Sequence, residues 1–113
     1  MALELPDVEE STTYGSPALK IRGQLLACIP SHKSAEPDSL AVRIDFDRRA
    51  DLMAVEPDVY YLKDHYVNYP VVLVRLSRIH PEALRDLLDE AWRFVSSKAP
   101  ARKRTVRRLK DTL

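Results

Sequence analysis

Cysteine is almost absent from this 113-residue chain: Cys28 stands alone, so no internal disulfide can staple the fold. Glycine is scarce too. Gly15 and Gly23 are the only two, which excludes a P-loop and a G-x-G-x-x-G dinucleotide fingerprint; no G-x-S-x-G nucleophile elbow occurs either. The histidines His32, His65 and His80 show no ligand spacing, and Cys28 has no C-x-x-C partner, so no metal and no cofactor is expected. Long hydrophobic runs are missing: runs such as residues 71–74 are far below the roughly 20 residues that span a bilayer. The opening MALEL has no basic n-region and no long apolar segment, unlike a signal peptide. A cytoplasmic protein in a reducing setting, without membrane contact, is the expectation.

What is present is an ordinary globular composition with an uneven charge. Hydrophobic residues make up 45% and charged residues 31%, enough for one modest core. The formal net charge is +1, but residues 98–113 hold seven bases against Asp111, a charge of +6. The preceding 97 residues therefore carry 11 bases and 16 acids, or −5. Residues 1–97 read as a single domain and 98–113 as a basic tail. Such a tail suits nucleic acid, anionic lipid or an acidic protein, and equally a disordered, solubilising terminus.

Patterning along the chain predicts an α+β fold. Residues 1–10 read as the end of a short first helix and a polar loop through Pro6, and 11–17 as a turn-rich connector. Residues 18–22 alternate apolar and basic, and with Gly23 and 24–29 they form a β-hairpin. Leu40, Val42, Ile44 and Phe46 alternate with Arg43 and Asp45, the clearest strand pattern in the chain. Asp47 is placed to cap a helix over 48–55, and 59–62 form a short strand. Residues 71–79 form a fifth strand, apolar on both faces as far as Leu73. Pro81 opens a helix whose stripe is Leu84, Leu87, Leu88, Ala91 and Val95. The order α-β3-α-β2-α implies a five-stranded antiparallel sheet in two layers, with its helices on one face.

Several blocks carry a family resemblance: Tyr14-Gly15-Ser16-Pro17-Ala18, Ile21-Arg22-Gly23, Val42-Arg43-Ile44-Asp45-Phe46-Asp47, Asp64-His65-Tyr66, Tyr69-Pro70-Val71-Val72-Leu73-Val74-Arg75-Leu76 and Leu87-Leu88-Asp89-Glu90-Ala91-Trp92. Their order and spacing over residues 5–98 resemble the MmcQ/YjbR family of small bacterial proteins. The resemblance implies a compact α+β fold like those of CyaY and secretion chaperones. It also implies DNA binding, suggested by a wing-like arrangement of strands. Family members have a longer first helix, so this chain is shortened there or its start lies upstream. The tail beyond Ala101 is outside the family pattern.

Three sets of residues are candidates for function. Lys20, Arg22, Arg43, Arg75 and Arg78 on strands, with Arg102, Lys103, Arg104, Arg107 and Arg108 in the tail, could contact DNA phosphates. The alternative for the strand arginines is a solvated or paired sheet face. His65, Tyr66 and Tyr69 in the 64–69 loop, with Tyr14, could form a polar site for an anion or nucleobase. Their alternative is a satisfied aromatic turn packed on the sheet. Asp45 and Asp47 have the i, i+2 spacing of metal-binding carboxylates, but Asp47 is better used as a cap. Cys28 reads as a small core residue. No nucleophile–base pair is visible, so an enzyme is the least supported reading. The tail's +6 charge and what the resemblance implies make a non-enzymatic DNA-binding protein the first expectation. A metabolite- or anion-binding protein and a dimeric interaction adaptor are the alternatives, with monomer and homodimer both open.

Overall fold

A computed structural model of the chain describes residues 5–13, 15–30 and 32–98. Six antiparallel strands form one sheet in the order β1-β2-β3-β4-β6-β5, and two helices pack on one of its faces. The elements are β1 (Val8–Thr13), β2 (Ser16–Ile21), β3 (Gln24–Cys28), β4 (Ser39–Arg43), α1 (Phe46–Val55), β5 (Tyr60–Tyr61), β6 (Val71–Arg75) and α2 (Pro81–Lys98).

The first strand corrects the expected five-stranded sheet and its leading helix. Residues 8–13 pair with β2 along their whole length, from Val8 opposite Ile21 to Thr13 opposite Ser16. Their acidic, threonine-rich composition suits an edge strand with one wet side, and only pairing with β2 makes it a strand. The segment before it is tied to α2 by the Trp92 indole, whose Nε1–H donates to the Pro6 carbonyl at 2.8 Å. The described residues therefore hold two helices rather than three. Of the expected first helix, residues 1–4 lie outside the description.

The β2–β3 hairpin forms as expected, around Arg22 and Gly23, whose φ angles are +47° and +83°. Two successive positive φ values match the right-handed twist of the paired strands, and glycine takes the second at no steric cost. A bulge follows in β3. Leu19 faces Ala27 while Lys20 faces Leu25, leaving Leu26 as the extra residue. That insertion explains a run of residues with no alternation. Leu26 and Ala27 both turn to the helix side, whereas Leu25 and Cys28 face the other side.

The helix-side core joins Ile21, Leu26, Val42, Ile44, Val72 and Val74 of the sheet region to Leu52 of α1 and Leu87, Leu88, Ala91 and Val95 of α2. The α2 stripe is thus the one its 3.6-residue period predicts, with Leu84 packed at its margin. β6 is covered on both sides, with Leu73 fully buried opposite the helices.

Boundaries shift around β4 and β6. β4 ends at Arg43, so Phe46 is not on its buried face; it opens α1 and is 45% exposed. Asp45, not Asp47, occupies the helix N-cap position, and its side chain makes no cap hydrogen bond; Asp47 lies in the first turn. There its charge meets the positive end of the helix dipole. β6 stops at Arg75, and the Arg78 N–H donates to the Arg75 carbonyl in the following turn. Arg22 and Arg78 are therefore turn residues rather than strand residues.

Leu26 is fully buried in the bulge and Leu76 is 37% exposed. Truncating Leu26 to alanine should cost about 2–5 kcal/mol in urea unfolding, and Leu76→Ala about 0.5 kcal/mol or less. Equal losses at the two sites would contradict the bulge assignment.

Candidate functional site

The sheet face away from the helices is built from small residues. Ala18, Cys28 and Ala41 are buried there with Leu73 and Tyr61, and Leu25, Ala35 and Tyr66 pack against them. Small side chains on neighbouring strands leave room for two loops, residues 32–38 and 62–70, to approach the sheet. Between the loops and the sheet lies a cleft of about 780 Å³. Its floor includes Leu25, Cys28, Ala41 and Val71, and its walls include His32, His65, Tyr66 and Tyr69.

The walls are aromatic and interlocked. The His32 and His65 rings stack with centroids 3.8 Å apart and planes 14° from parallel. Tyr66 stands edge-on to His65 at 4.8 Å and to His32 at 6.3 Å, while Tyr69 is tilted 6.4 Å from His65. Ser34 N–H donates to His32 Nδ1 at 3.1 Å, which assigns the proton of a neutral ring to Nε2. Asp64 and Tyr66 bound a single 3₁₀ turn, and this turn presents His65 and Tyr66 together. Burial pushes the Tyr66 phenol up, opposed by a hydrogen bond with the His32 backbone. Burial pushes the Cys28 thiol up as well, which favours the neutral thiol over a nucleophilic thiolate.

Arg43 lines the same cleft from the end of β4, opposite Val71. It is half-buried, with its guanidinium 5.8 Å from the Phe94 ring centroid. Its Nε is buried and has no hydrogen-bond partner. Desolvation lowers its pKa from the ordinary value, although a guanidinium remains charged.

Two other arginines hold the loops in place. Arg49 of α1 donates to the carbonyls of Val67 at 3.2 Å, Tyr69 at 2.9 Å and Val71 at 3.3 Å. Its guanidinium also lies over Phe46 at 4.8 Å. Arg75 grips Glu36 through Nε at 2.9 Å and Nη2 at 2.8 Å, and donates through Nη1 to the Pro57 and Asp58 carbonyls. It lies 4.4 Å over the Tyr61 ring, whose hydroxyl accepts from the Glu36 N–H and bonds the buried Ser39 hydroxyl. Sequence reasoning missed His32 as a wall residue and Arg49 as a clamp. Neither has a local pattern, because each acts on a loop distant in the chain.

The expected site residues therefore divide. His65, Tyr66 and Tyr69 come together, and Arg43 lines the same cleft. Tyr14 lies outside the described residues, as do Arg102, Lys103, Arg104, Arg107 and Arg108. Arg22 pairs with Asp7 at 2.7 Å and Arg75 with Glu36, so both charges are compensated within the fold. Lys20 is half-buried on β2, and Arg78 is exposed in a turn beyond β6. A smaller depression of about 220 Å³ lies between the helices, lined by Asp51, Glu56, Asp86 and Glu90 among others, with Arg48 paired to Glu90. No group of three or more potential metal ligands occurs among the described residues. Among them no helix is long and apolar enough to cross a membrane.

Fold and cleft define a small α+β domain with one helix-covered and one loop-covered sheet face. The chain belongs to the YjbR family, whose model matches residues 3–94. It is 43% identical over 56 residues to the uncharacterized proteins Rv2570 of Mycobacterium tuberculosis H37Rv and Mb2600 of Mycobacterium bovis. That match covers 49% of this chain and 43% of each relative, so the chain spans less than half the length of these relatives. The crystal structure of Deinococcus radiodurans protein DR2400, a DUF419 domain, is similar with a TM-score of 0.71 at 20% identity. That likeness covers 89% of this chain and 77% of the other, and it shows the shared fold.

The Arg75–Glu36 pair makes a pH-dependent contribution to stability. Its hydrogen bond and charge hold the Glu36 carboxyl below the ordinary value of 4.5. A depressed folded-state value stabilises the fold above the unfolded value, and that stability is lost as pH falls through the folded one. In unfolding titrations the stability advantage of wild type over Glu36→Gln should be constant near neutrality. It should shrink as pH drops below 4.5. An advantage that does not change on acidification would rule out the pair as its source.

Proposed function

We propose that this protein is a small-molecule-binding domain whose site is the cleft on the helix-free face. The observation that carries this reading is the convergence of His65, Tyr66 and Tyr69 from one loop with His32 from another, above an apolar floor of sheet residues. The cleft volume lies within the roughly 300–1,000 Å³ typical of small-molecule sites, and such sites combine apolar lining with a few placed polar groups. The ring faces and edges of the wall suit a flat, unsaturated ligand. Binding rather than catalysis is favoured by the raised Cys28 thiol and by the absence of a carboxylate among the described lining residues. A thermal-shift and ligand-observed NMR screen of planar heteroaromatic metabolites tests it. A hit should weaken about fivefold or more in His65→Ala, the lower end of what losing a stacked ring costs. It should survive removal of residues 99–113. Hits indifferent to His65, or no hits in the screen, would defeat the reading.

Contact with DNA phosphates is a second reading, favoured by the +6 charge of residues 98–113. In the body it would draw on Lys20 and Arg78, since Arg22 and Arg75 are already paired. Such contact should be insensitive to base sequence and weaken steeply between about 50 and about 200 mM salt, through counterion release. Fluorescence anisotropy with labelled duplex should show this slope in the full chain and its loss on removing residues 99–113. No binding at about 50 mM salt would exclude it.

A further inference from the structure

We infer that the cleft takes a planar monoanion, a flat ring bearing one carboxylate, with the ring against the His65–Tyr66 wall and the carboxylate at Arg43. The inference rests on the small-molecule reading above and names the class of ligand. Its starting point is a difference among the arginines. Arg22, Arg48, Arg75 and Arg93 each pair with a carboxylate, and Arg49 is satisfied by three carbonyls. Arg43 is half-buried like Arg49, but its guanidinium has only the Phe94 ring, 5.8 Å away, beside it: among the described residues no carboxylate pairs with it, and its Nε is buried without a hydrogen-bond partner.

A partly desolvated cation without a counter-charge is unfavourable, and an incoming anion relieves that cost. The geometry places the relief inside the cleft. Arg43 sits opposite Val71, which follows Pro70 and Tyr69 in the wall loop, so Arg43 and the aromatic wall border one volume. The floor between them is apolar, through Leu25, Ala41 and Val71.

Charge counting sets the ligand's valence. Among the described lining residues Arg43 is the one with a permanent charge, and none is Asp or Glu. One guanidinium balances one carboxylate, which its planar fork matches in bidentate geometry. A phosphate dianion would leave one negative charge uncompensated over an apolar floor.

Calorimetric titration of the full chain with 2-naphthoate, 2-naphthamide and 2-naphthyl phosphate tests this. The naphthoate should bind about tenfold or more tighter than the amide, the lower end expected for a charge-assisted hydrogen bond, and tighter than the phosphate. Arg43→Gln should bring naphthoate down to the level of the amide, while Arg43→Lys keeps part of the preference. His65→Ala should weaken both ligands by the same factor. Equal binding of naphthoate and amide to wild type overturns the inference without relying on any variant's folding. So does a preference for the phosphate, or a carboxylate preference that persists in Arg43→Gln. If the amide still binds and still depends on His65, the cleft stands as a site and the monoanion idea alone has failed. If none of the three probes binds, the inference is overturned, and the wider metabolite screen then decides the small-molecule reading separately.

Discussion

Arg75 stands at the end of β6 and uses its whole guanidinium to join three parts of the chain. Two of its nitrogens hold Glu36 of the 32–38 loop, a third reaches the carbonyls of residues 57 and 58, and its plane covers Tyr61. A guanidinium presents its donors in a rigid fork, so a single side chain can fix the relative position of three segments. Tyr61 extends the same network inward, to the Glu36 amide and the Ser39 hydroxyl. The loop that carries His32 is thereby anchored to the sheet at its far end. Arg49 performs the equivalent task for the loop that carries Tyr66 and Tyr69. Without these two clamps the stacked His32–His65 wall would have no reason to form, since both rings lie on segments with little buried apolar surface of their own.

The sheet has a different character on each side. On the helix side large aliphatic residues fill the space under α1 and α2. On the other side Ala18, Cys28 and Ala41 are too small to fill it, and the loops cover the face only in part. The bulge at Leu26 sharpens the contrast by sending two consecutive residues to the helix core. The cleft is thus a consequence of small side chains on three adjacent strands. The arginines differ in the same way: Arg22, Arg48, Arg75 and Arg93 pair with carboxylates, whereas Arg43 borders the cleft with its guanidinium near the Phe94 ring.

Much of the fold was legible in the residues. The β2–β3 hairpin, the coverage of β6 on both faces and the α2 stripe all follow from period-2 and period-3.6 patterns. The edge strand β1 was not legible, because Glu9, Glu10 and Thr12 carry no apolar alternation and become a strand only by pairing with β2. Phe46 continued the β4 alternation on paper but starts α1, where Arg49 stacks on its ring. Half of the candidate site was visible as a polar aromatic loop, in His65, Tyr66 and Tyr69. His32 and Arg43 were read as unrelated, one as a histidine without ligand spacing and the other as part of a basic sheet face.

Local sequence determined the elements: hydrophobic period, turn chemistry at Arg22–Gly23 and the proline opening of α2 all act over a few residues. It also determined the family, through the order of its blocks. Only the tertiary structure decided what each charged or aromatic side chain does. Charge and ring chemistry act through space at a few ångströms, so Arg75 becomes a clamp, Arg22 an ion pair and Arg43 a guanidinium beside the Phe94 ring, according to what folding sets beside them. The nearest neighbours of His65 in the wall, one of them 33 positions away along the chain, illustrate the reason: sequence separation carries no information about a contact that two anchored loops create.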